Sequence, residues 1–527
     1  MGKIEKNEPV YLRWMEIFVL LLTAVMLFFS WKEYKLTKQV RQIREEQILA
    51  EQSGEEAAAG EQNQVQDQPE NITIQDVIPQ EDAYSQQTAE PSDSNIRVLL
   101  MNTAQSSCIQ DQVIVQSSVG MEISGAYTRE CAAGIPFDAG ELLAEGETIW
   151  IRPAENTGDT NADQRISVLS LERSQGNPSY EGTLEIHRKS DGLYLINEVE
   201  LETYLKYVVP SEMPSDYPKE ALKAQAVCAR TYAVRQMMEE SLKEYGADVD
   251  DTVSYQVYNN ISRQETTDQA VDETAGEIIC WNNEPIQAYF FSTSCGFTSS
   301  DEVWTNDTPA GYLESISLSQ RTVEALAAGD ISADSAMNTG LENGEFEQYI
   351  REKNALDYES EEPWYRWEIC IPWEELEKRT ESGFPQTGKL QDFKVKERSE
   401  GGAVTKLCII GSDGEAVLEN EYRIREFLSP GEEAVTLQDG TSNASMKILP
   451  SAYILLERVM ENDQPSGLYI RGGGYGHGVG MSQNGAKCLA QNGMDWEQIL
   501  SVFYRNTTIE SVSGHLQSYC SSRRASQ

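Results

Sequence analysis

The chain of 527 residues has a formal charge of −44 at pH 7, from 86 acidic and 42 basic residues. This balance argues against nucleic acid as a main partner, because phosphate backbones are bound by basic surfaces. Hydrophobic residues make up 39% of the sequence, so part of the chain is expected to lie outside a packed core. The length allows about three domains of roughly 150 residues each.

The first predicted element is a membrane anchor, which follows a short tail at residues 1–13. Residues 14–31 read WMEIFVLLLTAVMLFFSW, an apolar run that nearly spans a bilayer core at about 1.5 Å of rise per residue. A cleavable signal peptide is the alternative, but no small-residue cleavage site follows the run. The sequence therefore predicts an uncleaved transmembrane helix. The basic residues between Lys32 and Arg44 would, by the positive-inside rule alone, place the rest of the chain in the cytoplasm.

The next predicted element is an acidic linker rich in Glu and Gln at residues 32–95. From Glu45 to Asn95 this segment contains no Lys or Arg. Such a composition buries too little apolar surface to offset the entropy of ordering the chain. We therefore predict a disordered, solvated spacer.

The folded part is predicted to span residues 96–510, followed by a C-terminal tail at 511–527. Short apolar runs such as IRVLLM and GTLEIH, separated by turn residues, predict a β-rich region. Helical spacing then follows, so the predicted fold class is α+β: a mixed β-rich domain with a central helix-bundle segment, preceded by one transmembrane helix and a disordered acidic linker. An acidic stretch at about 317–362 is interpreted as an insertion or loop excursion.

The cysteines and histidines do not indicate a metal site. The nine cysteines form no CxxC pair, which argues against a zinc ribbon or a thioredoxin-like motif. The three histidines, His187, His477 and His515, are far apart in sequence. We therefore predict no metal ion and no cofactor.

The first segment with a chemical signal reads VVPSEMPSDYPKEALKAQAVCARTYAVRQM. Pro218 suits the first turn of a helix, and the spacing of small residues predicts a helix from there to about Lys243. Lys223 and Arg230 lie on one line of that helix, two turns apart, although charged residues on a helix are usually only solvated. Glu212 precedes the helix on a turn stiffened by prolines. Burial there would raise its pKa, as a general acid needs, but it could equally be a capping or loop carboxylate.

The second segment reads YIRGGGYGHGVGMSQNGAKCLAQNGMDWEQILSVFY. Its glycines let the backbone adopt positive φ angles and approach a ligand or another strand closely. It lacks the Gly-Lys-Ser/Thr ending of a phosphate-binding loop. Helices are predicted at residues 481–492, with Gly493 as the C-cap, and at 496–504. A single His in such a loop, here His477, is more often structural than catalytic, but a ligand-facing loop remains open.

These residues resemble the stage II sporulation protein D family, which includes the amidase-enhancer proteins. The resemblance rests on PSEMPSDYPKEALKAQAVCARTYA and GGGYGHGVGMSQNGA, with QVY, AVDETAGEII and AYFFSTSCGFTSSDEVW between them in the family's order. It covers residues from about 96 to 510. The resemblance implies a lytic transglycosylase that cleaves the glycan strands of peptidoglycan, preferably after a partner amidase has removed the stem peptides, in forespore engulfment.

The family resemblance also implies residue roles. Glu212, the glutamate of the SEMP motif, would be the catalytic acid. The residues expected to position the glycan are Lys223, Gln225, Arg230, Tyr475, His477, Ser482 and Gln483. Some family members hold zinc at the FSTSCG stretch through a His, but Phe291 stands at that position here and only Cys295 is nearby. No zinc is therefore predicted at this stretch.

The expected partners are peptidoglycan glycan strands, a cell-wall amidase and other engulfment proteins, with no nucleic acid. Because the substrate lies outside the cell membrane, we expect a single-pass protein whose C-terminal domain is extracytoplasmic, against the charge rule. Two alternatives stay open. The chain could be a non-catalytic wall-binding protein that recruits or stimulates an N-acetylmuramoyl-L-alanine amidase, or a purely structural component of the engulfment complex.

Overall fold

The computed structural model describes residues 95–154, 163–173, 175–239, 241–258, 261–304, 309–327, 343–444 and 446–516. All of them belong to one compact unit, which extends from Ala89 to Gln527. The predicted anchor, nearly all of the predicted linker and residues 517–527 lie outside the described residues.

The strands are short and most pair antiparallel. Their bounds are β1 Asn95–Leu99, β2 Ile114–Ser117, β3 Met121–Gly125, β4 Arg129–Cys131, β5 Phe137–Asp138, β6 Thr148–Pro153, β7 Ile166–Val168, β8 Ser179–Tyr180, β9 Thr183–Lys189, β10 Gly192–Glu200, β11 Val249–Asp250, β12 Glu277–Trp281, β13 Glu284–Pro285, β14 Phe290–Phe291, β15 Trp367–Pro372, β16 Leu390–Arg398, β17 Val404–Gly411, β18 Glu415–Glu419, β19 Val435–Leu437, β20 Ser442–Asn443, β21 Ile454–Glu461, β22 Gln464–Gly472, β23 Met481–Ser482 and β24 Thr508–Ser511.

The α-helices follow or separate these strands. Their bounds are α1 Leu201–Glu212, α2 Lys219–Glu239, α3 Glu265–Glu273, α4 Gln320–Ala327, α5 Asn343–Arg351, α6 Trp373–Gly383, α7 Glu421–Phe427, α8 Gln483–Gln491 and α9 Trp496–Phe503. Short 3-10 helices lie at Lys243–Tyr245, Asp301–Val303, Pro363–Tyr365 and Pro385–Thr387.

The N-terminal part of the fold is a seven-stranded sheet with the order β11-β1-β10-β9-β6-β3-β4. In β1, Ile96 and Val98 are fully buried and alternate with partly exposed neighbours, as expected for a strand with one face on the core. The chain runs directly from β10 into α1, where the Glu200 carboxylate caps the helix by accepting a hydrogen bond from the Thr203 amide. The sheet therefore fixes where α1 begins.

Helix α2 lies at the centre of the packing. It contacts α1, α3, α8, α9 and β12. Ala226, Ala229 and Ala233 are fully buried, and their small side chains allow neighbouring elements to approach closely. The helix begins at Lys219, directly after Pro218, whose carbonyl accepts hydrogen bonds from the Ala221 and Leu222 amides, and it ends at Glu239 rather than near Lys243.

In the C-terminal half, the two larger sheets have the orders β20-β19-β15-β22-β21 and β16-β17-β18, and two smaller ones have the orders β13-β12-β24 and β14-β23. The apolar faces of the two larger sheets share one core that includes Trp367, Leu407 and Ile470. The stretch at 317–362 forms α4 and α5 in its described residues, and it contributes Phe346 and Ile350 to a buried cluster. Its acidic, aromatic-poor sequence does not reveal this packing.

The structure is mixed α+β, but the transmembrane helix included in the predicted fold class is wrong. Within the described ranges, no helix is long and apolar enough to cross a membrane. The longest of these, α2, has 21 residues and contains several charged side chains. The segment at 14–31 is itself outside these ranges. The transmembrane helix, and with it the single-pass membrane localisation, is therefore withdrawn.

Candidate functional site

Glu212 is the last residue of α1 rather than part of a turn before α2. The helix continues past Pro210, even though proline removes one backbone donor. The Ser211 hydroxyl donates to the Tyr207 carbonyl, 2.7 Å away, and satisfies an acceptor in this last turn. Met213 then adopts an extended conformation and ends the helix. The Glu212 side chain thus projects from a rigid helix end.

The Glu212 carboxyl is held from one side. Its Oε1 accepts a hydrogen bond from the Val257 amide at 2.7 Å. Val257 is the centre of the QVY motif, whose outer side chains are buried: Gln256 donates to the Ala229 carbonyl and Tyr258 donates to Asn197. No described residue donates a hydrogen bond to Oε2. One carboxyl oxygen is therefore fixed by the protein, and the other is available to a ligand.

Burial raises the pKa of Glu212 to about 7, and the hydrogen bond from the Val257 amide only partly opposes this shift. A carboxyl with this pKa is about half protonated at pH 7. It can therefore donate a proton and take one back near neutral pH, which general acid–base catalysis requires.

Two glutamines connect the two sequence motifs beside Glu212. Gln483, at the start of α8, donates from Nε2 to the Glu212 carbonyl at 3.0 Å and lies 3.4 Å from the Gln225 Oε1. Gln225 is fully buried in α2, and its Nε2 has no hydrogen-bond partner among the residues that the structure describes. The predicted residues Gln225 and Gln483 are thus brought together with Glu212. Gln483 is partly exposed, whereas Gln225 supports it from behind.

A second carboxyl, Glu359, holds the FSTS stretch against the glycine-rich segment. Its oxygens accept hydrogen bonds from the Ser294 amide at 2.9 Å, the Ser294 hydroxyl at 2.6 Å and the Ser482 hydroxyl at 2.8 Å. Glu359 is fully buried, and burial raises its pKa to about 7. Ser482 is also buried and caps α8 by accepting from the Gly485 amide. From the sequence, Ser482 is expected to bind substrate, but its side chain is buried beneath the protein surface.

The glycines of the second segment allow close packing against the residues around β14 and against Tyr453. Gly478 and Gly480 have φ angles of +83° and +74°. A Cβ atom on Gly480 would lie 2.0 Å from the Tyr289 carbonyl oxygen, and one on Gly478 would lie 2.2 Å from the Tyr453 hydroxyl. At these positions the glycines admit protein atoms rather than a ligand.

Tyr475 is the exposed side chain of this loop. Its ring stacks on Trp364, with centroids 4.5 Å apart and planes 18° from parallel. The loop is fixed below the ring pair, because Tyr475 and Thr293 exchange both backbone hydrogen bonds and the Gly474 amide donates to the Trp364 carbonyl. The two rings form a rigid aromatic platform, which we define as Trp364 and Tyr475.

His477 lies among aromatic rings instead of projecting from the loop. The nearest ring centroids are those of Trp304 at 5.0 Å and Phe291 at 5.7 Å. Its Nδ1 accepts from the Val479 amide at 3.1 Å, so this nitrogen carries no proton. Burial, with the charge of Arg425, lowers the pKa of His477 to about 3. The imidazole is therefore neutral at physiological pH and supports the loop.

The two predicted cations of α2 are bound within the protein. Lys223 forms ion pairs of 3.0 Å with both Glu220 and Glu273. Arg230 is fully buried and makes a two-pronged ion pair with Glu202, at 2.8 and 2.6 Å. Neither side chain points a free charge at Glu212. In the structure, Arg230 supports the packing of α1 on α2 through this ion pair.

Direct contacts connect Glu212 with the aromatic platform. Gln483 contacts Glu212, and its neighbour Asn484 donates to the Thr293 hydroxyl at 2.9 Å. Thr293 pairs with Tyr475 through the backbone. Tyr217, which precedes α2, donates to Asn484 at 2.6 Å. The three separated motifs are therefore packed against one another through direct contacts, as their sequence order alone could not show.

Three contributors to this surface are missing from the sequence prediction. Trp364 supplies half of the platform, Glu359 fixes the two loops, and Val257 holds the carboxyl through its amide. The aromatic run PWYRW was a usable signal for Trp364. Glu359 could not be singled out, because it is one of many acidic residues in its stretch. Val257 could not be singled out either, because it acts through its backbone amide, which every residue type except proline has.

Cavities of about 390 and 530 Å³ lie elsewhere in the described structure. The first lies beside Trp304 and Arg398, and the second beside Arg152 and Glu181. Glu212 lines neither of them. Glu212 as a residue is half-buried.

Comparison with protein families supports the motif assignment. Residues 189–281 match the stage II sporulation protein model (SpoIID), and residues 298–480 match a domain of unknown function (DUF8618). The first match contains α1, α2 and Glu212. The second contains Trp364 and Tyr475 and most of the glycine-rich segment.

Individual relatives agree at modest identity. The chain is 26% identical over 393 residues to stage II sporulation protein D of Bacillus subtilis, covering 71% of this chain and 93% of that protein. It is 28% identical over 328 residues to the amidase enhancer of B. subtilis, covering 58% of this chain and 40% of that protein. An uncharacterized protein of Brachyspira hyodysenteriae is 27% identical over 332 residues, 63% of this chain and 72% of that protein. The predicted resemblance to the stage II sporulation protein D family is therefore confirmed.

Proposed function

We propose that this protein is a peptidoglycan lytic transglycosylase with a role in sporulation. Its substrate would be the glycan strand after removal of the stem peptides, and the bond cleaved would join N-acetylmuramic acid to N-acetylglucosamine. The observation that carries the proposal is Glu212: a carboxyl at a rigid helix end, with a pKa near 7 and one oxygen unengaged by described residues. The relatives named for sporulation and for amidase enhancement support a cell-wall role.

The reaction needs one carboxyl to act twice. Protonated Glu212 donates its proton to the glycosidic oxygen as the bond to C1 of the muramoyl residue breaks. The resulting carboxylate then takes the proton from the 6-hydroxyl of the same sugar, whose oxygen bonds to C1. The product is a 1,6-anhydromuramoyl end, and Glu212 regains its proton for the next cycle.

Intramolecular attack explains why a second catalytic carboxylate is not needed. Ordinary glycosidases use a pair of carboxyl groups, one as acid and one as base or nucleophile. Burial also raises the pKa of Glu359 to about 7, but its oxygens are occupied by Ser294 and Ser482. The 6-hydroxyl takes the place of a positioned water, and its attachment to the reacting sugar provides a high effective concentration.

The aromatic platform would hold an adjacent sugar. Sugar rings present an apolar face of C–H bonds, which packs on an aromatic ring. The exposed Tyr475 ring is held in place by stacking on Trp364, so its outer face would receive the sugar. Contacts through Thr293, Asn484 and Gln483 fix this surface relative to Glu212. Gln483 would donate to acetamido or hydroxyl groups at the site of cleavage.

A second candidate is a non-catalytic protein that stimulates a cell-wall amidase. The similarity to the amidase enhancer favours it, although this chain spans only 40% of that relative. In that case the same surface would bind glycan without cleaving it, and Glu212 would accept a hydrogen bond from the sugar.

Digestion of peptide-free glycan by the purified full-length protein separates the two candidates. We expect soluble products with 1,6-anhydromuramoyl ends, identified by mass spectrometry, and no such products from Glu212→Gln. Glycan binding by Glu212→Gln, measured by co-sedimentation, should persist, because the amide keeps the shape of the carboxyl. Intact glycan after prolonged digestion, together with faster peptide release by an added amidase, would instead establish the second candidate.

A further inference from the structure

Cys280, Glu510 and His515 form a side-chain cluster that shares no residue with the site around Glu212, and no motif includes them. Cys280 lies on β12, and Glu510 lies on its neighbour β24. In the register of this antiparallel pair Glu510 is opposite Ile278, so Cys280 is its diagonal neighbour on the same face. The chain then turns after β24 and brings His515 to the same two side chains.

The three ligand atoms already have the spacing of a metal site. The Cys280 Sγ and the His515 Nε2 are 3.6 Å apart, and this nitrogen is 3.2 Å from the Glu510 Oε2. All three atoms lie within 4.8 Å of one another. Around a tetrahedral zinc ion with its usual bond lengths, sulfur and nitrogen are about 3.6 Å apart, and nitrogen and oxygen about 3.4 Å. A cation would therefore need only small side-chain movements.

The donor types favour a zinc-class ion. A thiolate and an imidazole are preferred by zinc and similar transition metals, whereas calcium and magnesium prefer all-oxygen sites. Cys280 is fully buried, and Glu510 and His515 are partly exposed. An ion would thus enter from the solvent side, with the thiolate beneath it and a fourth position left for water.

We propose that Cys280, Glu510 and His515 bind one zinc-class divalent metal ion. On binding, the cysteine S–H bond breaks, a sulfur–metal bond forms, and the proton leaves to solvent. The ion would tie the segment after β24 to β12. That strand supports α2 directly, because the Ile279 amide donates to Thr231 and the Glu277 carbonyl accepts from Arg230.

This site differs from the FSTSCG position considered in the sequence analysis. There, Phe291 replaces the expected histidine. Here Cys280 and His515 are 235 residues apart along the chain, which explains why spacing in the sequence gives no indication of a site. The proposal does not depend on catalysis at Glu212.

Cobalt(II) is the probe that tests the proposal. The full-length protein is treated with a chelator, dialysed and titrated with Co²⁺ alone, while absorption is recorded for the thiolate-to-cobalt charge-transfer band. We expect the band to saturate at one equivalent and to disappear on addition of Zn²⁺. The variants are Cys280→Ser and His515→Gln, and the matched control is Cys370→Ser, which changes an exposed cysteine on β15.

Cys280→Ser should abolish the band, and His515→Gln should weaken cobalt binding at least tenfold, whereas Cys370→Ser should bind as the wild type does. Thermal unfolding of the metal-free proteins checks that each variant is folded. Added Zn²⁺ should raise the midpoint of the wild type and of Cys370→Ser, but not that of Cys280→Ser. A wild type without the band, or a band that persists in a folded Cys280→Ser, would overturn the proposal.

Discussion

Glu212 and Glu359 are two carboxyl groups with the same raised pKa, about 7, and the same cause, burial. They differ in what their oxygens contact. Glu359 is completely enclosed and accepts three hydrogen bonds from two serines. Glu212 is partly exposed at a helix end and accepts one, from a backbone amide.

The comparison shows that a perturbed pKa does not by itself identify a catalyst. Hydrogen bonds that occupy both oxygens make Glu359 a connector between the FSTS stretch and the start of α8. A single backbone donor leaves Glu212 able to exchange its proton with a ligand. The following predictions test this division of roles.

The largest expected effect is on catalysis. Glu212→Gln removes the exchangeable proton and should lower the rate of anhydro-product formation about 10³-fold, the scale of a lost general acid–base group. The measurement is the initial rate of product release from peptide-free glycan. A rate within tenfold of the wild type would assign the proton transfer to another group.

The second effect is on stability at the other carboxyl. Glu359→Ala leaves the Ser294 amide and two hydroxyl groups without their buried acceptor, and we expect a loss of about 3 kcal/mol in the free energy of unfolding. Denaturant unfolding measures this loss. The matched variant Ser294→Ala, which removes only one of these donors, should cost less. Equal stability of Glu359→Ala and the wild type would show that the three hydrogen bonds do not stabilise the loops.

The third effect is a dependence of stability on pH. The pKa of Glu212 is about 7 in the folded protein and near 4.5 when unfolded, so the native state binds more protons between these values. This carboxyl therefore contributes a loss of stability as pH rises through that window. Relative to the wild type, Glu212→Gln should become more stable between pH 5 and pH 8, by on the order of 2 kcal/mol. If the difference in unfolding free energy between Glu212→Gln and the wild type stays constant across this range, the carboxyl is not desolvated.

Much of the local structure could be predicted from the sequence. Pro218 and the small-residue spacing locate α2, and the segment after the glycines gives α8 and α9 nearly at their observed bounds. Each of these signals is local, because a cap, a proline or a helical repeat acts within a few residues. Glu212 could also be singled out, because both the SEMP motif and the nearby prolines draw attention to it.

The tertiary partners could not be predicted. Arg230 pairs with Glu202 of α1, and Lys223 pairs with Glu273 of α3. Because these partners lie on other helices, the spacing within α2 alone made both cations appear available to a ligand. His477 is enclosed by rings from distant segments. Glu359 lies in a stretch whose composition resembles a surface loop. In each case the deciding contact joins residues far apart along the chain.

The fourth effect concerns the aromatic platform. Trp364→Ala should raise the KM for glycan about tenfold and leave kcat within about threefold, because it removes the ring that holds Tyr475 in place without removing a group that transfers a proton. A tenfold change corresponds to about 1.4 kcal/mol of binding free energy. Steady-state kinetics on glycan fragments of defined length measure both constants. The matched control is Trp373→Phe, a buried tryptophan in the separate C-terminal core. An unchanged KM for Trp364→Ala would remove the platform from the glycan site.

The smallest effect is expected at Lys223. Its ion pairs involve partly exposed carboxylates, and such pairs contribute about 0–1 kcal/mol. Lys223→Met keeps the aliphatic stem and should change the stability by less than about 1 kcal/mol and the KM by less than twofold. A tenfold rise in KM would show instead that this ammonium group leaves its partners to bind glycan.

The most direct test of the central claim is digestion of peptide-free glycan in ¹⁸O-labelled water, followed by mass spectrometry of the muramoyl ends. If Glu212 passes its proton between the glycosidic oxygen and the 6-hydroxyl, the wild type releases anhydro ends without heavy oxygen and Glu212→Gln releases almost none. Heavy oxygen at C1 would show that water attacks the sugar, and equal product from Glu212→Gln would show that another group supplies the proton. Either result would contradict the account.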